Sequence, residues 1–218
     1  SKNVIICSNT FAVSLNDFND YNLKKIFRNK IKINNKIIEE ANKFYKKYFS
    51  KNKKVIGIHI RGTDQKITPN HYLPPTIFDI YRIIEKEINL DSKIKFFIIT
   101  EEKKYLEEFI KSFGSKVLFM NTYRSYKNDA FTKYPRKNHR FKLGREILIE
   151  TLVMSRCNGV ISNITNVSSA AVFFSKKKQK IHKVFLGLNS SNKFIASFLW
   201  YLKKNMPKNF FGFNYKID

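Results

Sequence analysis

The chain has 218 residues, is 43% hydrophobic, and sets 42 lysines and arginines against 17 acidic residues for a formal net charge of +25. That length holds one large domain or two small ones with a real core, and the apolar content excludes a disordered chain. No apolar run approaches the roughly 20 residues of a membrane-spanning helix, and no signal-peptide pattern opens the chain.

A charge of this size attracts polyanions such as nucleic acid, anionic membrane and acidic glycans. The lysines are nonetheless spread along the whole chain, so a solvated surface and an anionic partner both stand as readings. The densest run, at 176–180, reads as a loop before a strand. Cys7 and Cys157 sit in or near apolar runs, with no metal-ligand spacing to the four histidines. Buried free thiols or one disulfide fit that pattern.

In chain order, residues 3–7 read as a short strand, which leads us to expect an upstream portion. Residues 8–35 are polar and dotted with aromatics, without a clear period. Ile37, Ile38, Ala41, Phe44, Tyr45 and Tyr48 then recur at helical spacing. Residues 55–60 form a β-branched run, the pattern of a strand buried on both faces. Polar residues follow abruptly: His59, Arg61, Thr63 and Asp64, with Gly62 among them. After a loop closed by Pro74 and Pro75, Thr76 and Asp79 form a capping box for a helix with Ile77, Ile80, Tyr81, Ile84 and Ile88 inward.

Residues 94–99 form a second buried strand, and Thr100 is expected to cap the helix that carries Tyr105, Leu106, Phe109 and Ile110. Gly114 follows its last turn. A third strand spans 117–120. Residues 121–142 form a long basic and aromatic loop, a length that usually marks function or mobility. Gly144 opens a further helix, 159–162 a fourth strand, and a short helix begins near Ser168. Residues 181–186 form a fifth strand, and a last amphipathic helix stops at Pro207. Five alternations of strand and helix predict an α/β fold with a parallel sheet covered on both faces.

In open α/β sheets ligands sit beyond the carboxyl ends of the strands. Three such ends are polar here: His59 with Arg61 and Asp64; Thr100 with Glu101; and residues 163–169, small hydroxyl and amide side chains before a helix. Helix N-terminal N–H groups suit a phosphate, although Thr165 or Asn166 also serves as a plain helix cap. Glu150 lies in an apolar helix four residues after Glu146. Turned toward the strand ends it would accept from a purine's ring N–H and amino group; turned outward it would be a solvent-facing partner of Glu146 or Arg145. No Gly-rich dinucleotide fingerprint, P-loop or nucleophilic triad is present.

The stretch 58–64, Ile-His-Ile-Arg-Gly-Thr-Asp, resembles the His-x-Arg-(Arg/Gly)-Thr/Gly-Asp motif of GDP-fucose-dependent fucosyltransferases. These include the α1,6-fucosyltransferases of nodulation factors and N-glycan cores, with the protein O-fucosyltransferases as relatives. The strand ending in Thr100-Glu101, the helix that carries Glu150 and ends in Ser155-Arg156-Cys157-Asn158, and the stretch Thr165-Asn166-Val167-Ser168 are similar to three further motifs, in the same order. The resemblance covers residues 55–174.

It implies a Rossmann-like fold, the C-terminal nucleotide-sugar-binding half of a GT-B glycosyltransferase. Residues 36–218 would be the donor-binding domain, and residues 1–35 a remnant of, or bridge to, an N-terminal acceptor domain. It implies that Arg61 binds the β-phosphate, His59 lies against the nucleotide with Gly62 and Thr100 beside it, and Glu150 reads guanine. Thr165, Asn166 and Ser168 would hold the diphosphate. The implied reaction is an inverting transfer of fucose from GDP-fucose to a glycan acceptor. It would need no cofactor and no metal, in keeping with the absence of an Asp-x-Asp motif.

The N-glycan core enzymes carry a glutamate shortly after the motif, whereas residues 65–70 hold no acid. Asp64 then either takes the acceptor's proton or orients Arg61. Gly62, where those enzymes have a second arginine, implies a different acceptor or a less charged site. Rival readings are a GT-B transferase with another donor, a basic polyanion-binding module, and a non-catalytic transferase domain. Contact with an anionic membrane or acidic glycan through the basic surface, and a place in the cytoplasm, on the cytoplasmic face of a membrane, or in the Golgi lumen behind an upstream anchor, complete the expectations.

Overall fold

The computed structural model describes residues 21–52, 54–127, 132–163, 165–207, 209–213 and 216–217. The expected strand at 3–7, and Cys7 with it, lie outside them. Helices α1 (Tyr21–Lys30) and α2 (Asn35–Tyr48) lead into strand β1 (Val55–His59). There follow α3 (Ile77–Leu90), β2 (Lys95–Ile99), α4 (Lys103–Phe113), β3 (Val117–Leu118), α5 (His139–Met154) and β4 (Gly159–Ser162). The chain continues with α6 (Asn166–Phe174), β5 (Lys180–Phe185), α7 (Lys193–Asn205) and β6 (Lys216–Ile217). The sheet order is β3-β2-β1-β4-β5-β6; β1 to β5 are parallel, and β6 pairs antiparallel with β5.

Side chains alternate across the sheet and build a core on each face. Ile56, Ile58 and Ile60 face α3 and α4, where Ile80, Ile84 and Phe109 are buried, with Trp200 of α7. Val55, Phe97, Ile99 and Val160 face the other way, onto α2, α5 and α6. Gly57 permits a close approach there: an added Cβ would sit 2.7 Å from Met154 Cγ of α5. The Thr76–Asp79 capping box forms as the sequence implies, with Thr76 N–H donating to Asp79 Oδ2 at 2.8 Å.

Four local expectations are corrected. Glu102, not Thr100, stands at the N-cap of α4, and Thr100 Oγ1 accepts from Glu102 N–H at 3.2 Å. Helix α5 starts at His139, five residues before Gly144, so the long connection ends at 138. Its first turn, His139-Arg140-Phe141-Lys142, has no apolar period to reveal it. Helix α6 starts at Asn166 rather than near Ser168, because Thr165 and Ser168 form its capping box. Helix α1 falls in the stretch without a clear period; it packs on α6, with Arg28 Nη1 donating to Ser175 O at 2.7 Å.

Candidate active site

Strand order reverses at β1, since β1 leads through α3 to β2 on one side while β4 lies on the other. Such a switch point opens a crevice at the carboxyl ends of the strands. A cleft of about 610 Å³ lies there, walled by the exits of β1 and β2, the start of α6 and one face of α5. That volume is in the range of small-molecule sites.

His59 ends β1 and is 2% exposed, with Nδ1 2.8 Å from Thr165 Oγ1 at the N-cap of α6. Burial, and then the Arg61 charge, push its pKa down to about 3, so the ring is neutral. This contact ties the β1 exit to the α6 cap, as the register requires, since His59 lies opposite Ser162 at the end of β4. Thr165 Oγ1 also accepts from Ser168 N–H at 3.1 Å. Asn166 and Val167, the first two residues of α6, line the cleft. Their N–H groups belong to the turn that has no intrahelical acceptors.

Arg61 lines the cleft two residues beyond β1. Its Nη2 donates to both carboxylate oxygens of Asp64, at 2.8 and 3.1 Å, and its Nε lies 3.9 Å from Glu101 Oε1. Glu101 Oε1 in turn accepts from Gly62 N–H at 2.8 Å. An added Cβ at Gly62 would overlap Glu102 Oε2, and Lys66 Nζ pins that carboxylate at 2.7 Å. A larger residue at 62 would have to displace the Glu102 carboxylate from Lys66.

Glu150 is 3% exposed and faces the cleft, not solvent. Its Oε1 accepts from Thr122 Oγ1 at 3.1 Å and from Arg124 Nη2 at 3.3 Å. Burial dominates over those partners and raises its pKa to about 7, with Glu146 and Glu101 adding to the rise. Glu146, one turn earlier on the same wall, is held by both terminal nitrogens of Arg136 and by Tyr123 N–H. Those hydrogen bonds outweigh burial and keep its pKa below the usual carboxylate value.

Of the residues named from sequence, His59, Arg61, Asp64, Thr100, Glu150 and Asn166 line this one cleft. Gly62, Thr165 and Ser168 stand behind the lining: Gly62 braces Glu101, and the two hydroxyls are taken up by the cap. In the sequence Glu146 stands only as a neighbour of Glu150, and nothing there marks Thr122 or Arg124 as partners of the Glu150 carboxylate. Glu146 was legible as the i−4 neighbour of Glu150, whereas the other two sit in a connection whose path no periodicity predicts. Asn163, which follows β4, is buried with both amide atoms unpartnered among the described residues, where buried polar groups are normally satisfied.

No protein-family model matches the chain, and none of the curated proteins matches it in sequence. Solved structures do match in fold. NodZ α-1,6-fucosyltransferase co-crystallized with GDP is 21% identical over 72% of this chain and 46% of its own, with a TM-score of 0.51. The structure soaked with GDP-fucose is 21% identical over 72% and 47%, with a TM-score of 0.50. Fucosyltransferase NodZ from Bradyrhizobium gives 21% identity over 72% and 46%, and a TM-score of 0.50. The chain thus spans about half the length of the solved structures it matches, and the likeness at this identity is one of fold. The chain shares the Rossmann-like α/β architecture of the C-terminal portion of NodZ fucosyltransferases.

Proposed function

We propose that the chain is the donor-binding half of an inverting, metal-independent glycosyltransferase that moves fucose from GDP-fucose to a glycan. The observation that carries this reading is that Arg61 and the first turn of α6 open onto one cleft, with His59 and Thr165 joined behind them. A diphosphate in that cleft meets a guanidinium, which pairs bidentately with phosphate oxygens and stays charged, and meets a helix N-terminus as well. NodZ has been co-crystallized with GDP and soaked with GDP-fucose, which supports a nucleotide sugar as the occupant here.

In this reading the acceptor hydroxyl attacks the anomeric carbon as its bond to the diphosphate breaks and GDP leaves. Fixed donors aimed at the leaving oxygens lower that barrier without a metal. Asp64 orients Arg61 through two hydrogen bonds. It is also the most exposed of the four lining carboxylates, and so the best placed to take the acceptor's proton. Glu150 reads the guanine edge. Residues 36–218 form the donor domain and residues 1–35 lead to the acceptor half.

The cleft's own charge disfavours the polyanion-binding alternative, since among the described residues four carboxylates and two arginines line it. The test is a thermal-shift series with GDP, UDP and ADP, joined to GDP-fucose hydrolysis. GDP is expected to raise Tm most. Equal shifts for the three nucleotides would remove the donor assignment.

A further inference from the structure

A second cavity, of about 650 Å³, lies at the opposite end of the sheet. Helices α1 and α2, the C-terminal ends of α5 and α6, and the connection into β5 enclose it. Its rim carries Arg28, Arg156, Lys176 and Lys177, and no carboxylate among the described residues lines it. Its floor is apolar, built from Ile33, Ile38, Leu152 and Phe174. The two lysines belong to the densest basic run of the sequence, and Lys180 of the same run turns away to pair with Glu87 at 2.6 Å.

The two arginines are held by neutral acceptors. Arg28 donates to Ser175 O at 2.7 Å, while Arg156 donates to Asn42 Oδ1 and lies 5.1 Å from the Tyr45 ring centre. Each is thereby fixed in place with its charge uncancelled by those contacts. Lys24 adds to the crowding: it donates to Lys177 O at 3.3 Å, and burial together with Arg28 pushes its pKa down. Cations gathered this closely repel one another, and an anion among them relieves the repulsion. A bare phosphate would leave the apolar floor wet, and an uncharged hydrophobe would leave the cations unanswered.

We propose that this cavity is a binding site for a lipid phosphate, with the phosphate among Arg28, Arg156, Lys176 and Lys177 and the first carbons of its chain on Ile38 and Leu152. The site is separate from the cleft at the carboxyl ends of the strands, so it stands or falls independently of the donor assignment.

The test titrates the protein with soluble dihexanoyl phosphatidic acid and, separately, with inorganic phosphate, by calorimetry at physiological salt. Saturable 1:1 binding of the lipid is expected, at least tenfold tighter than that of phosphate. R28Q/R156Q should weaken lipid binding at least tenfold, while K203Q/K204Q on α7, with the same loss of charge, should change it less than twofold. In vesicles, phosphatidic acid should bind more tightly than phosphatidylglycerol at equal surface charge if the headgroup enters the cavity. Equal weakening by the two double variants, or phosphate binding as tightly as the lipid, would overturn the site and leave only general attraction by a basic surface. If R28Q/R156Q does not fold, lengthening the chain from four to eight carbons on the wild-type protein decides the matter. Affinity should rise at least fivefold, and a flat series would overturn the apolar floor's part.

Discussion

Two glutamates, both nearly inaccessible to solvent, mark the two ends of this sheet and behave oppositely. Glu87, near the end of α3, meets the strands' amino ends: Lys54 Nζ lies 3.0 Å from one carboxylate oxygen and Lys180 Nζ 2.6 Å from the other. Burial alone would raise its pKa, yet those hydrogen bonds and charges hold it below the ordinary value. His182 Nε2 is close, at 3.1 Å from Oε1, but it is not aligned as a hydrogen bond, and burial keeps the ring neutral. Glu150, at the carboxyl ends, has one arginine and one threonine, and burial prevails. An acid with two cations at contact is a structural clamp. An acid whose partners fall short is one for which a ligand's donors would complete the shell, and the second lies in the cleft.

The contrast breaks most visibly if function and stability fail to separate. If the proposed fucosyl transfer holds, Arg61→Ala should lower it by ~10²–10³, the usual cost of losing one preorganised donor, while Tm stays within a few degrees. Glu87→Ala should do the reverse. It leaves Lys54 and Lys180 without their acceptor, and because both lysines reach solvent the cost is about 2 kcal/mol, below the 3–5 kcal/mol of a fully buried pair. Denaturant unfolding measures it, with nucleotide binding unchanged. Loss of binding on Glu87→Ala, or of folding on Arg61→Ala, would erase the distinction between the two ends.

Gly62→Ala sharpens the boundary inside the cleft. The new methyl group pushes Glu102 from its 2.7 Å contact with Lys66, a pair that is nine-tenths buried. Overpacking of this kind costs ~1–3 kcal/mol, so about 1 kcal/mol of stability should be lost if Glu102 swings aside. A variant as stable as the wild type would show that the glycine is not needed for space.

The strands of the carboxyl edge were legible because β1, β2 and β4 are short apolar runs that end in polar residues. The exit rule then placed Arg61, Thr100 and Asn166 near one another without any knowledge of the tertiary structure. Glu150 was legible as a choice between two faces, which only packing decides. What escaped came from segments without a period. Arg124 and Thr122 lie in the connection after β3, and β6 is a two-residue strand. Glu87 was within reach: it stands three, four and seven residues after Ile84, Ile83 and Ile80, in phase with the buried stripe, where an acid must find cations. For Thr165 the sequence left two readings open, helix cap and phosphate ligand, because a hydroxyl that caps a helix and one that meets a ligand read alike; the structure shows it and Ser168 in the cap.

The pH dependence of Glu150 is the effect most specific to the cleft. Glu150 carries a folded-state pKa raised to about 7 from 4.5, so the folded protein binds more protons than the unfolded chain between those values. Its contribution to stability therefore falls as pH rises through that window, by an amount on the order of 3 kcal/mol at most. Glu87 runs the other way: its lowered pKa gives stability present above the unfolded value and lost as pH falls through the folded one. If the guanine N–H groups donate to Glu150, only the ionised carboxylate receives them. At pH 6 about a tenth of the molecules are ionised and at pH 8 about nine-tenths, so GDP affinity should rise roughly tenfold between the two. The terminal phosphates of GDP and ADP titrate alike, and the ratio of their affinities isolates the base. That ratio should climb with pH in the wild type and stay level in Glu150→Gln. A level ratio in the wild type would mean that Arg124 keeps the carboxylate to itself, and the guanine edge must be read by another wall of the cleft.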